Sequence, residues 1–444
     1  MKIVIAGAYE VGTHLAKLLA KENMDVTLID ADPERISQLT FINLMSMVGS
    51  PTSIHALRDA GVPRCDLFIA VTPNESTNVH ACILAANLGA RRTLARVDTY
   101  EMQKPESADF YRRIGISRMV YPEMLGGMAV SGAITRPWAR QSIELCDGHL
   151  LLLGVKVREG APIVGQRLMD IGRQHHDSYH VAAIKRGDDL LIPNAQDQVL
   201  DGDLVYFITT SAKADVVRMT CGKKERKLRR VIFQGADRLA IQTCYYLPDS
   251  FDIVFIELDR AKADYASERV PRSRAVRGQT GDIDTFKELQ IGEHDVFVAI
   301  GPNSDSNILS CLTAKKLGIC KTVAEVSDVE LISMAQNLNI GSVVNKKLLT
   351  ASFIHQLLID ADKTNAKCFS LVDAEVADLV VRPGSRVTKT TVMQLNLPKG
   401  MTLGGMVRDG KGQTITGQTQ LQAGDRVVVI CMNEKLNQIE KLFG

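Results

Sequence analysis

The chain has 444 residues, 45% hydrophobic and 23% charged, and its 53 Lys and Arg against 51 Asp and Glu leave a net charge of +2. That balance excludes a disordered chain and gives no bulk attraction for nucleic acid, while the length holds about three or four domains of ordinary size. Its nine cysteines are scattered and form no C-x-x-C pair, which argues against a disulfide framework or a structural zinc site and fits a reducing compartment.

Lys2 to Ala6 is an apolar, β-branched run that predicts a buried strand. Gly7-Ala8-Tyr9-Glu10-Val11-Gly12 is a tight glycine turn, His14 to Glu22 has helical periodicity, and Asp25 to Asp30 predicts a second strand ending in an acid. In a dinucleotide-binding βαβ unit the first glycine permits the turn, the second lets the backbone approach a pyrophosphate, and the third lets helix and strand pack. The acid accepts from a ribose hydroxyl. Gly7, Gly12 and Asp30 fill three of these places. Tyr9 stands at the middle glycine, where a side chain crowds the helix N-terminus that would hold phosphate. The bland alternatives are that the two glycines serve packing alone and that Asp30 is a cap or a solvent-facing strand end.

Asp32-Pro33-Glu34 then reads as a cap, an N1 proline and an acid opening a short helix. Met45 to Val48 is a strand ending at Gly49, Leu67 to Val71 a buried parallel strand, and Glu75 to Leu88 a helix stopped by Gly89. Thr93 to Val97 adds a strand, and Tyr100 to Arg113, before Gly115, a single helix. This alternation predicts a doubly wound parallel sheet, with a ligand crevice at the carboxyl ends of the strands, where Gly7, Asp30, Gly49, Thr72 and Arg96 converge. Arg96 suits a phosphate there, or equally a local carboxylate. Asn78 reads as a polar group of its helix rather than a ligand contact.

Shorter strands follow at Leu151 to Val157, Val181 to Ile184 and Leu204 to Ile208, which predict a small α+β module. His175, His176 and His180 lack the spacing of known zinc motifs and read as a solvated loop. The basic octet 223–230 reads as a solvated linker.

The pattern then restarts. Val231-Ile232-Phe233-Gln234-Gly235 repeats the first strand and turn, and Phe251 to Glu257 repeats the second strand with its terminal acid. Gly49 maps to Gly278, Asp66 to Asp295, Asn78 to Asn307 and Cys82 to Cys311 at one constant offset. Leu200 to Val205 is answered by Gln422 to Val427. The fold class is therefore α/β, a tandem duplication of a Rossmann domain followed by a small α+β domain, with boundaries at 1–120, 139–219, 230–349 and 366–444. The copies are unequal: Asp237 stands where Tyr9 does, Ala240 replaces Gly12, and Glu325 replaces Arg96, although Glu257 still matches Asp30. Two added anions disfavour a phosphate-bearing ligand in the second copy, so the first is expected to carry the ligand.

The sequence has no G-x-S-x-G, no Walker motif, and no substrate domain bearing a proton-transfer group beside a substrate-binding cation. A nucleotide that is bound but not turned over is the expectation. The alternatives are an NAD(P)-dependent oxidoreductase and a soluble nucleotide sensor without a membrane partner. The longest apolar run, 150–155, is far too short for a bilayer, and Met1-Lys2-Ile3 opens directly into a core strand, so a cytoplasmic location is expected.

Over nearly its whole length the chain resembles the RCK (regulator of conductance of potassium, or KTN) family. The resemblance is carried by Met1 to Gly7, Phe68-Ile69-Ala70-Val71-Thr72, Leu94-Ala95-Arg96-Val97, Asn307-Ile308-Leu309-Ser310, Leu348 to Ser352, Leu395 to Gly400 and Leu421 to Val427. It implies tandem RCK-N and RCK-C domains, with NAD(H), or in some members ATP or ADP, in the first Rossmann domain. It implies that the turn 7–12, with Ala8, Tyr9, Glu10 and Val11 between its glycines, lies at the phosphates. Asp30 would hold the adenosine ribose, Thr72 would wall the crevice, Arg96 would meet the phosphates, and Gly49 would belong to the same cofactor-binding set. It also implies no catalysis, and a homotetrameric ring on the inner face of the cell membrane, docked under a potassium-translocating subunit of the TrkH-like kind.

Overall fold

Ile3, Val4, Ile5 and Ala6 are all fully buried, because a strand at the centre of a parallel sheet is covered on both faces. The computed structural model describes all residues except 22–23, 40–43, 176, 188, 280, 360–366, 372–373, 433–442 and 444. Among them the first Rossmann sheet comprises β1 (Lys2–Ala6), β2 (Asp25–Asp30), β3 (Leu44–Val48), β4 (Leu67–Ala70), β5 (Thr93–Arg96) and β6 (Arg118–Val120). Its order is β3-β2-β1-β4-β5-β6, all parallel, so the chain reverses direction across the sheet between β1 and β4. That switch point opens the crevice at the carboxyl ends of β1 and β4. The helices are α1 (Glu10–Lys21), α2 (Pro33–Ser37), α3 (Ile54–Asp59), α4 (Glu75–Leu88), α5 (Pro105–Arg113) and α6 (Pro122–Thr135).

Two helices of this domain differ from the sequence reading, and β4 and β5 each end one residue earlier than expected, at Ala70 and Arg96. Helix α1 starts at Glu10 rather than His14, directly from the glycine turn, and the predicted terminus Glu22 lies outside the described residues. The single helix expected over 100–113 is a 3-10 turn, Tyr100–Gln103, followed by α5. Pro105 explains the break, since it holds Lys104 extended (φ −62, ψ 144) and starts a new helix as its N1 residue.

The first small domain contains β7 (Gln141–Leu145), β8 (Leu150–Lys156), α7 (Leu168–His175), β9 (Tyr179–Arg186), β10 (Asp189–Leu191), β11 (Leu204–Thr209) and α8 (Ala214–Thr220), with an antiparallel sheet ordered β10-β9-β11-β8-β7. The linker that follows is irregular and mostly exposed, as the basic octet led one to expect.

The second Rossmann sheet holds β12 (Arg230–Gln234), β13 (Asp252–Ile256), β14 (Ser273–Val276), β15 (Asp295–Ala299), β16 (Lys321–Glu325) and β17 (Ser342–Val344). It repeats the first topology as β14-β13-β12-β15-β16-β17. Its helices are α9 (Arg238–Tyr246), α10 (Arg260–Arg269), α11 (Ile283–Glu288), α12 (Ser304–Lys316), α13 (Val329–Asn337) and α14 (Lys346–Ile359). The last sheet, β18 (Lys367–Leu371), β19 (Ala374–Val380), β20 (Met401–Arg408), β21 (Lys411–Thr414) and β22 (Arg426–Met432), is ordered β18-β19-β22-β20-β21, the first small sheet read backwards.

The chain divides into two compact units, 1–127 with 345–355, and 128–344 with 356–444. Within the second, the two small sheets share one apolar core in which Leu150, Leu152 and Ile208 of one meet Val376, Val428 and Ile430 of the other. Gly404 is forced by this packing, because a Cβ there would lie 2.1 Å from Ile208 Cδ1. No helix among the described residues is long and apolar enough to cross a membrane.

Candidate functional site

The glycine turn of the first unit is built by contact. Gly7 has φ +113, a left-handed backbone that favours glycine, and a Cβ on Gly12 would lie 1.9 Å from the Gly7 carbonyl oxygen. Helix α1 can therefore leave β1 only with glycine at both positions. No side chain among the described residues accepts from the N–H groups of residues 9 to 12. Those of Glu10, Val11 and Gly12 open a helix whose dipole is positive at this end. Ala8 and Val11 are buried beneath the turn.

Asp30 ends β2 beside it. Its carboxylate accepts from Ala8 N at 2.7 Å and Asp32 N at 2.9 Å, and the residue is 5% exposed. Gly49 N donates to the Asp30 carbonyl at 2.8 Å, which ties the end of β3 to the same corner. Gly49 is itself tight, since a Cβ would meet Ala56 Cβ at 2.9 Å. Across the crevice Thr72 follows β4, and its backbone N lies 2.9 Å from where a Cβ on Gly7 would stand. Arg96 ends β5, with Nη1 at 3.5 Å from Thr72 O and Nη2 at 3.1 Å from Asp98 Oδ1. Its Nε is buried and has no hydrogen-bond partner among the described residues. All five predicted crevice positions thus lie at the carboxyl ends of the parallel strands. A local carboxylate does pair with Arg96, and it leaves one guanidinium nitrogen unsatisfied.

Tyr9, at the middle position of the turn, is engaged by a cation. Its ring carries the Arg35 guanidinium, 3.9 Å above the centroid, and Arg35 in turn reaches Asp30 Oδ1 at 3.5 Å and Asp32 Oδ2 at 3.3 Å. Sequence reasoning missed Arg35, although its position one turn into the helix capped by Asp32 was a usable signal. It also missed Lys347 of α14, which forms an ion pair with the exposed Glu10 at the first turn of α1. Nothing local in the sequence could have placed that lysine, since α14 follows the second Rossmann sheet.

Asn78, on α4, is a structural pin. Its Oδ1 accepts from Thr72 N (2.9 Å) and Thr72 Oγ1 (2.6 Å), and its Nδ2 donates to Thr72 O (2.9 Å) and Arg96 O (3.0 Å). It fixes the two crevice residues through the backbone of both and the hydroxyl of Thr72.

The second copy keeps the frame and changes the turn. Gly235 has φ +103, and Glu257 accepts from Ala236 N at 3.1 Å as Asp30 does from Ala8 N. Asp237, however, folds its carboxylate over the start of α9 and accepts from Leu239 N at 2.9 Å and Ala240 N at 3.2 Å. The groups that would hold a phosphate in this copy already hold an internal anion.

The histidines are not a solvated loop. His175 closes α7 and His180 lies on β9, where its Nε2 meets Thr402 Oγ1 of β20 at 2.8 Å; His176 lies outside the described residues. Strand pairing and the neighbouring small sheet enclose His180, which short-range sequence did not reveal. Among the described residues no group of three or more His, Cys, Asp or Glu is placed to hold a metal ion.

Residues 3–122 and 231–346 match the TrkA-N domain, and residues 152–222 and 376–444 match the TrkA-C domain. The chain is 28% identical over 466 residues to the Trk system potassium uptake protein TrkA of Azorhizobium caulinodans, with 100% of this chain and 98% of that protein covered. It is 28% identical over 452 residues to the protein of the same name from Haemophilus influenzae, with the same coverage. Among solved structures it is similar in fold to the GsuK RCK domain (TM-score 0.62, 16% identity, 100% of this chain and 94% of that one). It is also similar to the GsuK channel bound to NAD (TM-score 0.60, 16% identity, 100% and 78%).

Proposed function

The chain belongs to the TrkA family, with two TrkA-N and two TrkA-C domains, and from that premise we propose that it is a nucleotide-binding regulatory subunit that gates a membrane potassium-translocating partner from the cytoplasmic side. The family is named for potassium uptake and not for an enzymatic activity. The observation that carries the nucleotide assignment is the contrast between the two turns: among the described residues no side chain caps the start of α1, whereas α9 is capped by Asp237. NAD(H) is the ligand we assign to the first turn, with ADP or ATP as competitors, and the likeness to a GsuK channel bound to NAD supports it.

In this reading the N–H groups of Glu10, Val11 and Gly12 hold the pyrophosphate, and Gly7 and Gly12 keep the backbone close to it. Ala8 fixes Asp30, whose remaining lone pairs take the adenosine ribose once Arg35 swings aside on Tyr9. Gly49 and Thr72 wall the crevice, and the unpartnered Nε of Arg96 turns toward phosphate. Lys347 then has a choice of anion, Glu10 or the bound phosphate, so occupancy biases where α14 rests. A ligand shifts such an equilibrium only by its differential affinity for the two arrangements.

The assembly we propose is a homotetrameric ring under a TrkH-like subunit. Two measurements test the whole reading. Deleting the gene should abolish high-affinity potassium uptake, and the tagged protein should co-purify with its membrane subunit as a tetramer by light scattering. Turnover of NADH with carbonyl substrates above background, or unaltered uptake on deletion, would contradict it.

A further inference from the structure

Inside the second unit, where the first small sheet meets the second Rossmann domain, lies a cavity of about 90 Å³. Arg140, Lys156 and Lys185 line it from the small domain, together with Gln141, and Gln336 and Ser342 line it from the Rossmann side. Arg140 precedes β7, Lys156 ends β8 and Lys185 lies on β9, and Leu204 of β11 pairs with Lys156 on one side and Lys185 on the other, so three segments of one sheet deliver a cation to one place.

Among the described residues none of these three cations has a carboxylate partner. The Arg140 guanidinium is held instead by oxygens of neutral groups, Gly341 O at 3.4 Å and Asn339 Oδ1. More cations crowd the same region. Lys321 is 4% exposed, and its Nζ donates to Ala139 O at 3.0 Å and Ser342 Oγ at 2.9 Å. Burial first, then Arg140, pushes its ammonium down to about 7. Lys156, Lys223 and Lys315 are lowered in the same direction by burial, with Arg158 and Arg140 adding repulsion. Two acids are near Lys156, Asp203 and Asp201. Asp203 is committed to Arg186, at 2.9 and 2.8 Å, and Asp201 is exposed.

Like charges held together in a partly dry cleft repel one another, and an anion placed among them reverses the sign of every one of those interactions. An arginine with two lysines is the donor set that a tetrahedral, multiply charged group satisfies. We propose that this cavity is an anion site for the phosphate group of a small phosphorylated molecule, separate from the turn that follows β1. An occupant bridges the first small domain and the second Rossmann domain, and so ties two of the four domains together.

The test is thermal unfolding of the full chain in pyrophosphate against sodium chloride at matched ionic strength, with NADH at saturation. The wild-type midpoint should rise with pyrophosphate beyond the chloride control, since a ligand of the folded state stabilises by mass action. Lys156→Gln with Lys185→Gln should raise the midpoint in chloride, because repulsion is relieved, and should lose the pyrophosphate increment. Lys224→Gln with Lys227→Gln, in the linker, should keep it. An equal increment in the wild type and the Lys156/Lys185 variant would overturn the proposal, as would a variant that is destabilised in chloride. Should the double variant not fold, Lys185→Gln alone carries the same two readouts. All the proteins share the first turn, so an empty NADH site there leaves the comparison intact.

Discussion

At Asn78 one amide closes four hydrogen bonds that hold the ends of β4 and β5, and Asn307 closes three at the equivalent ends in the second copy. It accepts from Gly301 N at 2.9 Å and donates to Gly301 O and Glu325 O, each at 2.9 Å. Cys82 and Cys311 repeat the equivalence, with each thiol directed at a carbonyl of the next strand, Leu94 O at 3.4 Å and Val323 O at 3.5 Å. Asn78→Ala leaves buried backbone groups of Thr72 and Arg96 without partners and should cost about 2 kcal/mol or more, read from urea unfolding. That the asparagine was polar and inside its helix was legible in the sequence; that it pins two crevice residues was not, because three of its four partners are backbone atoms brought close by the parallel sheet. Arg96 was left between phosphate and carboxylate, and the structure shows why composition alone could not decide: the guanidinium touches Asp98 and still has a nitrogen to offer.

Helices α1 and α9 occupy equivalent places, yet they begin differently. An Asp at the N-cap is worth about 1 kcal/mol over Ala. Asp237→Ala should therefore lower stability by about that amount in denaturant titration, and it uncaps α9 in doing so. The sequence made this inequality readable, since Asp237 and Glu325 stand out as added anions against a fixed offset. What it did not show is that the Asp237 carboxylate bonds the two N–H groups itself, which depends on a side-chain rotamer. The small domains show the same duplication at the level of a strand and its turn. Arg186 grips Asp203 at 2.9 and 2.8 Å while Leu200 N donates to the same carboxylate, and Arg408 grips Asp425 at 2.8 and 2.6 Å with Gln422 N in the same role. Burial alone would push the Asp425 carboxyl up, but Arg408 and the Gln422 N–H outweigh it and hold it below the usual carboxylate range. The contribution of this pair is thus present above the unfolded carboxyl pKa, about 3.9, and is lost as pH falls through the lower folded value. Arg408→Ala strands a buried carboxylate and should destabilise by about 3 kcal/mol at neutral pH, measured by chemical denaturation.

Across the whole molecule the repeat was legible because a constant spacing survives divergence, whereas the sharing of elements was not. Helix α14 belongs by sequence to the second Rossmann domain, but its residues through His355 pack in the first unit. The face-to-face small sheets are likewise a long-range product, and His180 lies in that junction against Thr402. Burial pushes its imidazole down to about 4, so the folded chain keeps it neutral while the unfolded chain takes a proton near pH 6.5. Protonation then favours unfolding: stability is full above about pH 6.5 and falls as pH drops toward the folded value. His180→Gln should flatten that part of the profile in thermal scans between pH 7 and 4. The central claim, one nucleotide at the first turn and none at the second, is tested most directly by titration calorimetry of NADH into the full chain and its Asp30→Ala and Glu257→Ala variants. A single site per chain, lost with Asp30→Ala and little changed by Glu257→Ala, is the predicted result; binding that survives Asp30→Ala and disappears with Glu257→Ala would contradict it.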